Sequence, residues 1–366
     1  MKKIGLITIH DTLNYGSLLQ TYALYKAIES LGVEIELIDY KCKAIMDRET
    51  TYPLSQCRNI KDIIKSLMWH KAMQKKYENF WSFIKENMKV EIGDTYFERE
   101  CHYFVEGEKY NYKERYNLNN IFDVFIVGSD IVWGTNITGN DWTYFLDFAD
   151  DSKTKIAFSS SIGTKWNSDV EKQILSNLNK FKSISVREEL AQSWIREIGI
   201  NADVTCDPTM LWDSSFWSRM VERPKTNEQP YVLVYMWTKD MRTVNHAKMY
   251  AKAHGLRVKC QQFYNPIPGV DNVKPVSLEQ WISLIANANT VFTASYHGLL
   301  YSLYFHKNVY YYNRENKSRM ESLGKKLGIS NREISGEFKE QPMIDYQYVD
   351  NVINEMRRKS LLVLKN

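Results

Sequence analysis

Residues 122–130 read FDVFIVGSD, an apolar run that stops at a polar Gly-Ser-Asp. Apolar runs of this length are typical of parallel strands buried on both faces. Residues 156–161 repeat the pattern, and residues 183–186 do so again and stop at Arg187. Three strands therefore deliver polar or charged groups at their carboxyl ends, where open α/β sheets bind ligands. This repetition predicts an α/β fold.

The residues before this run predict a β-α-β unit. Residues 4–9 are a short apolar strand, a helix can begin at Ser17, and residues 33–40 read as a second strand. Gly32 can supply the C-terminal cap of that helix. A β-α-β unit implies parallel strands joined by a right-handed crossover.

A second alternating series follows the polar, proline-bounded residues 223–230. It predicts strands at 231–236, 256–261, 290–293 and 308–312, and helices at 238–254, 277–288 and 299–305. Two such series predict two Rossmann-like domains facing a cleft, where small ligands usually bind.

We place the first domain at residues 1–205, with a helical insertion around residues 59–90. The second domain covers residues 206–344. The last helical pattern, residues 345–366, is predicted to pack back on the first domain. A chain of 366 residues exceeds the usual size of a single hydrophobic core, which supports the division.

Composition excludes several classes of protein. A net charge of +4 does not indicate nucleic-acid binding. Five scattered cysteines predict neither a disulfide framework nor a metal site. The first apolar run is too short for a signal peptide, and no apolar run is long enough to span a membrane. We therefore expect a cytoplasmic protein.

The lysine-rich residues 61–89 have two interpretations. They could rest on an anionic membrane near a lipid-linked acceptor, which would place the protein at the inner face of that membrane. More often such a stretch is a solvated helical face, and the sequence alone favours that interpretation.

The turn after the first strand contains Asn14, Gly16 and Ser17. Backbone N–H groups at the start of a helix could receive an anion or an acceptor hydroxyl there. The alternative, a simple turn with Ser17 as the helix cap, has equal weight.

Polar groups at the next strand ends are candidates for sugar binding. Ser129, Asp130 and Trp133 combine a carboxylate with a large aromatic ring, which suits a sugar platform with an acid/base group. Asp130 could instead cap the following segment. Ser161 offers a hydroxyl, although strand-end packing is the more common role.

Arg187 follows a strand where a helix is expected to begin, and a cation there opposes the helix dipole. A bound phosphate or carboxylate would remove that conflict. A salt bridge to Glu188, Glu189 or another nearby acid would do so equally well.

His297 lies between Tyr296 and Gly298 at a predicted strand-to-helix turn, where an imidazole could act as general acid or base. A lone histidine is more often structural. Arg319 adds a planar cationic fork that suits carboxylate or phosphate, with a solvent-exposed charge as the default.

Several short motifs, spread over most of the chain, resemble those of the polysaccharide pyruvyl transferase family and follow the same order. Residues 41–120 are the part that these motifs cover least. The motifs are Asn14-x-Gly16, Leu19-Gln20-x-x-Ala23-Leu24, Val127-Gly128-Ser129-Asp130-x-x-Trp133, residues 159–163, Ser185-Val186-Arg187-Glu188, Asp207-Pro208-Thr209 and Ser295-Tyr296-His297-Gly298.

The resemblance implies a fold similar to the GT-B glycosyltransferases. It also implies phosphoenolpyruvate as donor and a saccharide acceptor, lipid-linked or nucleotide-linked, that gains a pyruvate ketal during surface or capsular polysaccharide synthesis. Arg187 and His297 match positions associated with donor binding and catalysis. Some members carry Arg two residues before the histidine, where this chain has Ser295, so Arg319 or a lysine would have to compensate.

On this basis His297 is the expected general acid or phosphate partner, and Asp130 is the expected base or hydroxyl-orienting group. We expect no cofactor besides the donor substrate, and no metal. The donor side is expected to use Arg187, Arg319, Ser295 and Gly298. The acceptor side is expected to use Asn14, Gly16, Ser17, Ser129, Trp133 and Ser161. The rival hypotheses are a nucleotide-sugar glycosyltransferase of the same architecture and a non-catalytic glycan-binding relative.

Overall fold

The structure is a computed structural model. It describes residues 2–46, 54, 57–91, 118–224, 227–236, 240–261, 266–313 and 318–365. The chain divides into two compact units. Unit 1 comprises Met1–Thr51, Phe80–Leu211 and Met356–Asn366, and unit 2 comprises Tyr52–Asn79 and Trp212–Glu355. The domain boundaries and the cleft drawn from the sequence stay predictions.

Unit 1 is built on a seven-stranded sheet in which all neighbouring strands are parallel. The strand order is β3-β2-β1-β4-β5-β6-β7. The strands are β1 Lys3–Ile7, β2 Glu34–Ile38, β3 Val90–Glu91, β4 Val124–Val127, β5 Thr154–Ser160, β6 Ser183–Val186 and β7 Asp203–Val204. The α/β prediction made from residues 122–130 and their two repeats is confirmed.

Among the described residues before β8, the helices are α1 Tyr15–Glu29, α2 Lys43–Met46, α3 Ile60–Asn87, α4 Thr135–Thr138, α5 Ser168–Leu178, α6 Glu189–Glu197 and α7 Ser214–Ser218. Short 3-10 turns lie at Trp142–Phe145 and Pro208–Leu211. The predicted start of α1 is wrong, because α1 begins at Tyr15, two residues before Ser17, with Asn14 as its N-cap.

Unit 2 is built on a five-stranded sheet, also parallel throughout, in the order β10-β9-β8-β11-β12. Its strands are β8 Tyr231–Tyr235, β9 Arg257–Gln261, β10 Asp271–Val273, β11 Thr290–Thr293 and β12 Asn308–Tyr311. The remaining helices are α8 Met241–His254, α9 Leu278–Ala286, α10 Tyr296–Tyr304, α11 Ser318–Lys326 and α12 Tyr346–Lys365, with a 3-10 turn at Ser330–Arg332. Helix α10 begins three residues earlier than predicted.

The core of unit 1 fixes the strand ends that carry the polar groups. Phe125 and Val127 of β4 have no exposed surface and pack with Val186 of β6 in one apolar cluster. Fully burying side chains of this size contributes roughly 1.5–3 kcal/mol each. The carboxyl ends of β4, β5 and β6 are therefore held side by side.

The end of α12 belongs to unit 1. Arg357 Nε donates to the carbonyl of Met210 at 2.7 Å, and Ser360 Oγ accepts from the N–H of Cys206 at 2.8 Å. Within the described ranges, no helix has the length and apolar character needed to cross a membrane.

Candidate functional site

Asp130 is fixed at the carboxyl end of β4 by two hydrogen bonds. Ser17 Oγ donates to Asp130 Oδ2, and the N–H of Ile131 donates to Oδ1 at 2.9 Å. The backbone of Asp130 is left-handed, with φ of 62°. Such conformations are uncommon outside glycine and cluster at functional sites. Asp130 is not a helix cap, because α4 begins only at Thr135.

The turn between β1 and α1 divides two tasks between two side chains. Asn14 Oδ1 accepts from the N–H of Gly16 at 2.9 Å and caps the helix. Ser17 was expected to do this in the simple-turn interpretation, and that interpretation is corrected. The Ser17 hydroxyl donates to Asp130 instead.

Gln20 connects this turn to β4 from a fully buried position. Its Nε2 donates to the carbonyl of Ser17 at 2.9 Å and to Thr8 Oγ1 at 3.1 Å. Its Oε1 accepts from the N–H of Ser129 at 3.3 Å. One side chain therefore sets the positions of both Ser17 and Ser129.

A second carboxylate lies two strands away, at the end of β6. Ser161 Oγ donates to Glu188 Oε1 at 2.7 Å, and Arg187 Nε donates to the same oxygen at 3.0 Å. The N–H of Ser161 also donates to the carbonyl of Asp130 at 2.9 Å. Ser161 thus links the two carboxylate-bearing residues.

Arg187 lies between two acids. Its NH1 donates to Asp207 Oδ2 at 2.8 Å, and its Nε pairs with Glu188. The Arg187 side chain is 2% exposed. Helix α6 begins at Glu189, with Glu188 at the N-cap position, so Arg187 precedes the helix instead of opening it. The salt-bridge alternative raised from the sequence is the arrangement that the structure has.

Two buried oxygen atoms in this array have no hydrogen-bond partner within the part of the chain that the structure describes. They are Glu188 Oε2 and Ser129 Oγ. Buried polar atoms are nearly always satisfied by protein, water or ligand. These two atoms are therefore the places where a ligand hydroxyl would gain most.

Trp133 lies in the core of unit 1. It has no exposed surface, its ring stacks on Phe145 at 5.7 Å, and its indole N–H donates to the carbonyl of Tyr144 at 2.9 Å. A sugar cannot stack on a ring so enclosed. The expected platform role is corrected to a structural one.

In unit 2 the turn from β11 into α10 carries the other expected residues. Ser295 is the N-cap of α10, and its Oγ accepts from the N–H of Gly298 at 3.2 Å. His297 is in the first helical turn and is 9% exposed. A side chain at position 298 would lie 2.5 Å from Thr293 Oγ1 and 2.7 Å from Tyr235 Cδ1, so only glycine fits.

Tyr235, at the end of β8, completes this turn. Its ring lies against Gly298. Burial raises the pKa of Tyr235 well above its ordinary value, so its hydroxyl stays protonated. Arg319 lies in the first turn of α11 and is half-buried, not fully exposed as the default interpretation had it.

A family model described as polysaccharide pyruvyl transferase matches residues 14–316. The chain belongs to this family. The matched residues include the Asp130 and Arg187 strand ends of unit 1 and the His297 turn of unit 2. No curated protein matches the chain significantly.

Solved structures similar to this pyruvyl transferase family member have the GT-B fold. UDP-GlcNAc 2-epimerase from Methanocaldococcus jannaschii is 11% identical, with a TM-score of 0.51 over 97% of this chain and 92% of that chain. The S. aureus MnaA co-structure with UDP is 12% identical, with a TM-score of 0.52 over 100% of this chain and 91% of that chain. Identities this low show the fold alone, and the predicted GT-B-like architecture is confirmed.

Sequence reasoning gave no role to two residues of the unit 1 array, Gln20 and Asp207, and considered Glu188 only as a salt-bridge partner of Arg187. Each lies within a motif quoted for the resemblance. Gln20 offered the clearest signal, because it is a polar residue three positions after Ser17 in a helix whose other inward residues are mostly apolar. The hydrogen bond from Ser161 to Glu188 and the pairing of Asp207 with Arg187 became visible only in three dimensions.

Among the residues that the structure describes, no group of three or more His, Cys, Asp or Glu could hold a metal ion. A cavity of about 330 Å³ in unit 2 is lined by residues that include Arg223, Tyr231 and Lys259. None of the expected site residues lines that cavity, so we do not assign the reaction to it.

Proposed function

We propose that the chain transfers the pyruvyl group of phosphoenolpyruvate onto a saccharide and forms a pyruvate ketal, in surface or capsular polysaccharide synthesis. The observation that carries the proposal is the family match over residues 14–316. The polar strand ends in each unit supply groups of the chemical types that this reaction uses.

The reaction balances with the donor and two acceptor hydroxyls. The enol methylene of phosphoenolpyruvate takes a proton and becomes a methyl group. One hydroxyl oxygen bonds to the central carbon, the carbon–oxygen bond to phosphate breaks, and a second hydroxyl oxygen closes the ketal. Of the two hydroxyl protons, one balances the new methyl group and the other leaves on inorganic phosphate.

In this proposal the acceptor binds at the strand ends of unit 1. Carboxylates only accept hydrogen bonds when ionised, which suits sugar hydroxyls. Asp130 orients one hydroxyl and serves as its base, held in place by Ser17. Glu188 receives a neighbouring hydroxyl at Oε2, because its Oε1 is already occupied by Ser161 and Arg187.

The donor, in the same proposal, binds at the amino end of α10. Helix N-termini attract anions through their N–H groups and dipole, and phosphoenolpyruvate carries both a phosphate and a carboxylate. His297 acts as general acid or phosphate partner, with Arg319 as the compensating cation. Direct contact between Arg187 and the donor stays a prediction, since two carboxylates already accept from its guanidinium.

A nucleotide-sugar transferase is the second candidate, and one observation favours it. The S. aureus MnaA structure of the same fold contains UDP. The two candidates differ in what they release: inorganic phosphate in one case, a nucleotide in the other.

The test combines two readouts. The full chain is incubated with phosphoenolpyruvate and a panel of lipid-linked and nucleotide-linked saccharides, and inorganic phosphate is followed. Products are examined by mass spectrometry for one added pyruvate ketal. Phosphate release in step with ketal formation supports the proposal. Glycosyl transfer from a sugar nucleotide, with phosphoenolpyruvate inert across the panel, overturns it.

A further inference from the structure

Helix α3 has apolar side chains on two opposite faces. One face is buried and includes Trp69, Met73 and Tyr77. The other is exposed to solvent over the first three turns. We call it the apolar strip, and its exposed fractions are Ile60 75%, Ile63 41%, Ile64 52%, Leu67 49% and Met68 56%.

The spacing of the apolar strip makes it a continuous surface. Its residues follow the pattern i, i+3, i+4, i+7, i+8, which places them on one side of an α-helix. A surface helix of a globular protein normally keeps its apolar stripe toward the core and polar residues outside. Contiguous exposed apolar surface of this kind marks a site of interaction.

Lysines accompany the apolar strip. Four of them are exposed along the helix: Lys61, Lys65, Lys71 and Lys75. The acids of residues 60–78 are Asp62 and Glu78. The Asp62 carboxylate already accepts hydrogen bonds from Asn59 Nδ2 at 2.9 Å and the N–H of Arg58 at 3.3 Å. The surroundings of the apolar strip are therefore strongly cationic.

We propose that the apolar strip docks on an anionic lipid surface. Apolar side chains on one face and lysines beside them are the features of helices that lie in the plane of a membrane interface. The apolar strip enters the boundary between headgroups and acyl chains, while the lysine ammonium groups reach the lipid phosphates through their alkyl stems.

Charge favours a lipid surface over a second copy of this chain. A symmetric dimer through α3 would bring the apolar strip of one copy, with its lysines, against the same lysines of the other. Like charges facing each other across an interface disfavour association. Anionic lipid offers the complementary charge, and this inference does not depend on the transfer reaction proposed above.

The test is co-sedimentation of the full chain with vesicles of phosphatidylcholine alone or mixed with phosphatidylglycerol. We expect binding to the mixed vesicles that weakens at high salt. The double variant Ile64→Glu/Leu67→Glu should lose at least about tenfold in partitioning, because two charges would enter the apolar boundary. Lys61→Gln/Lys65→Gln should weaken binding to the mixed vesicles, by up to about fivefold per lysine.

The matched control is Met249→Glu on α8, a methionine that is 59% exposed and lies outside the apolar strip. It should bind vesicles as the wild type does. Circular dichroism and sedimentation velocity without lipid check fold and self-association in every variant. The proposal is overturned if the Ile64→Glu/Leu67→Glu variant binds as well as Met249→Glu, if the wild type does not bind, or if the variant only changes the oligomeric state.

Discussion

The polar strand ends of unit 1 and the β11–α10 turn of unit 2 are built differently. In unit 1, acidic, hydroxyl and guanidinium side chains hold one another in place, from Ser17–Asp130 to Ser161–Glu188–Arg187. In unit 2 the turn is held by its cap at Ser295 and by the close packing of Gly298. The first arrangement presents hydrogen-bond acceptors, as hydroxyls require. The second places an imidazole at a helix N-terminus, where the helix dipole suits an anion.

The largest expected effect concerns the side-chain network of unit 1. Arg187→Ala leaves the buried Asp207 and the partly buried Glu188 without their shared cation, which should cost about 3–5 kcal/mol of unfolding free energy. Urea denaturation measures it. The control, Arg257→Ala, removes a largely exposed pair with Asp271 and should cost at most about 1 kcal/mol. Equal losses in the two variants would mean that the ion pairs do not hold the array together.

The next effect concerns unit 2. His297→Ala should lower turnover about a hundredfold while the thermal unfolding midpoint stays close to that of the wild type, because general acid–base groups contribute at this scale. His306→Ala is the matched control, since that histidine is exposed and pairs with Asp350. Turnover of the His297 variant within a factor of two or so of the control would remove His297 from the reaction.

A smaller expected effect distinguishes the residues that bind the acceptor from those that bind the donor. Glu188→Gln keeps the shape of the side chain but replaces a charged acceptor with a neutral one. The KM for the saccharide should rise about tenfold, corresponding to ~1.4 kcal/mol, and the KM for phosphoenolpyruvate should stay unchanged. Glu189→Gln, on the exposed neighbour, is the control. A rise in the donor KM instead would place the donor at Glu188.

The smallest effect is a pH dependence that originates at the end of β1. His10 Nε2 faces Asp39 Oδ1 at 3.0 Å and His10 Nδ1 faces the carbonyl of Thr8 at 3.2 Å, so the buried ring satisfies both only as imidazolium. Burial alone depresses the pKa of His10, but Asp39, Asp11 and the carbonyl outweigh it and raise the pKa above its ordinary 6.5.

The raised pKa of His10 fixes the sign of the pH dependence of stability. The folded protein holds the His10 proton more tightly than the unfolded chain does, so this stabilisation is complete below pH 6.5 and is lost as pH rises through the raised pKa. Urea titrations at several pH values measure it, and His10→Gln should flatten the profile. A stability that increases over this range because of His10 would contradict the assignment.

The sequence predicted the two parallel sheets because a buried parallel strand can be recognised from a local pattern, an apolar run followed by a turn signal. Residues 183–186 and 290–293 were predicted to the residue. Helix starts were predicted less accurately. Asn14 caps α1, although Ser17 is an equally good capping residue type, because the Ser17 hydroxyl donates to Asp130, 113 positions away.

The sequence predicted which residues belong to the candidate site better than it predicted which side chains contact one another. Asp130, Ser161 and Arg187 were identified because strand ends are recognisable from sequence. The indole of Trp133 looked available because aromatic residues suit both sugars and cores, and only the packing against Phe145 decides between them. The pairing of Arg187 with Asp207 spans 20 residues, a distance at which no sequence pattern operates.

The most direct test of the contrast between the two units is the thermal shift produced by phosphoenolpyruvate and by UDP-N-acetylglucosamine in the wild type, His297→Ala and Glu188→Gln. We predict that phosphoenolpyruvate raises the Tm of the wild type and of Glu188→Gln equally and raises that of His297→Ala less. Stabilisation by the sugar nucleotide alone, or a phosphoenolpyruvate response that depends on Glu188 and not on His297, would contradict the account.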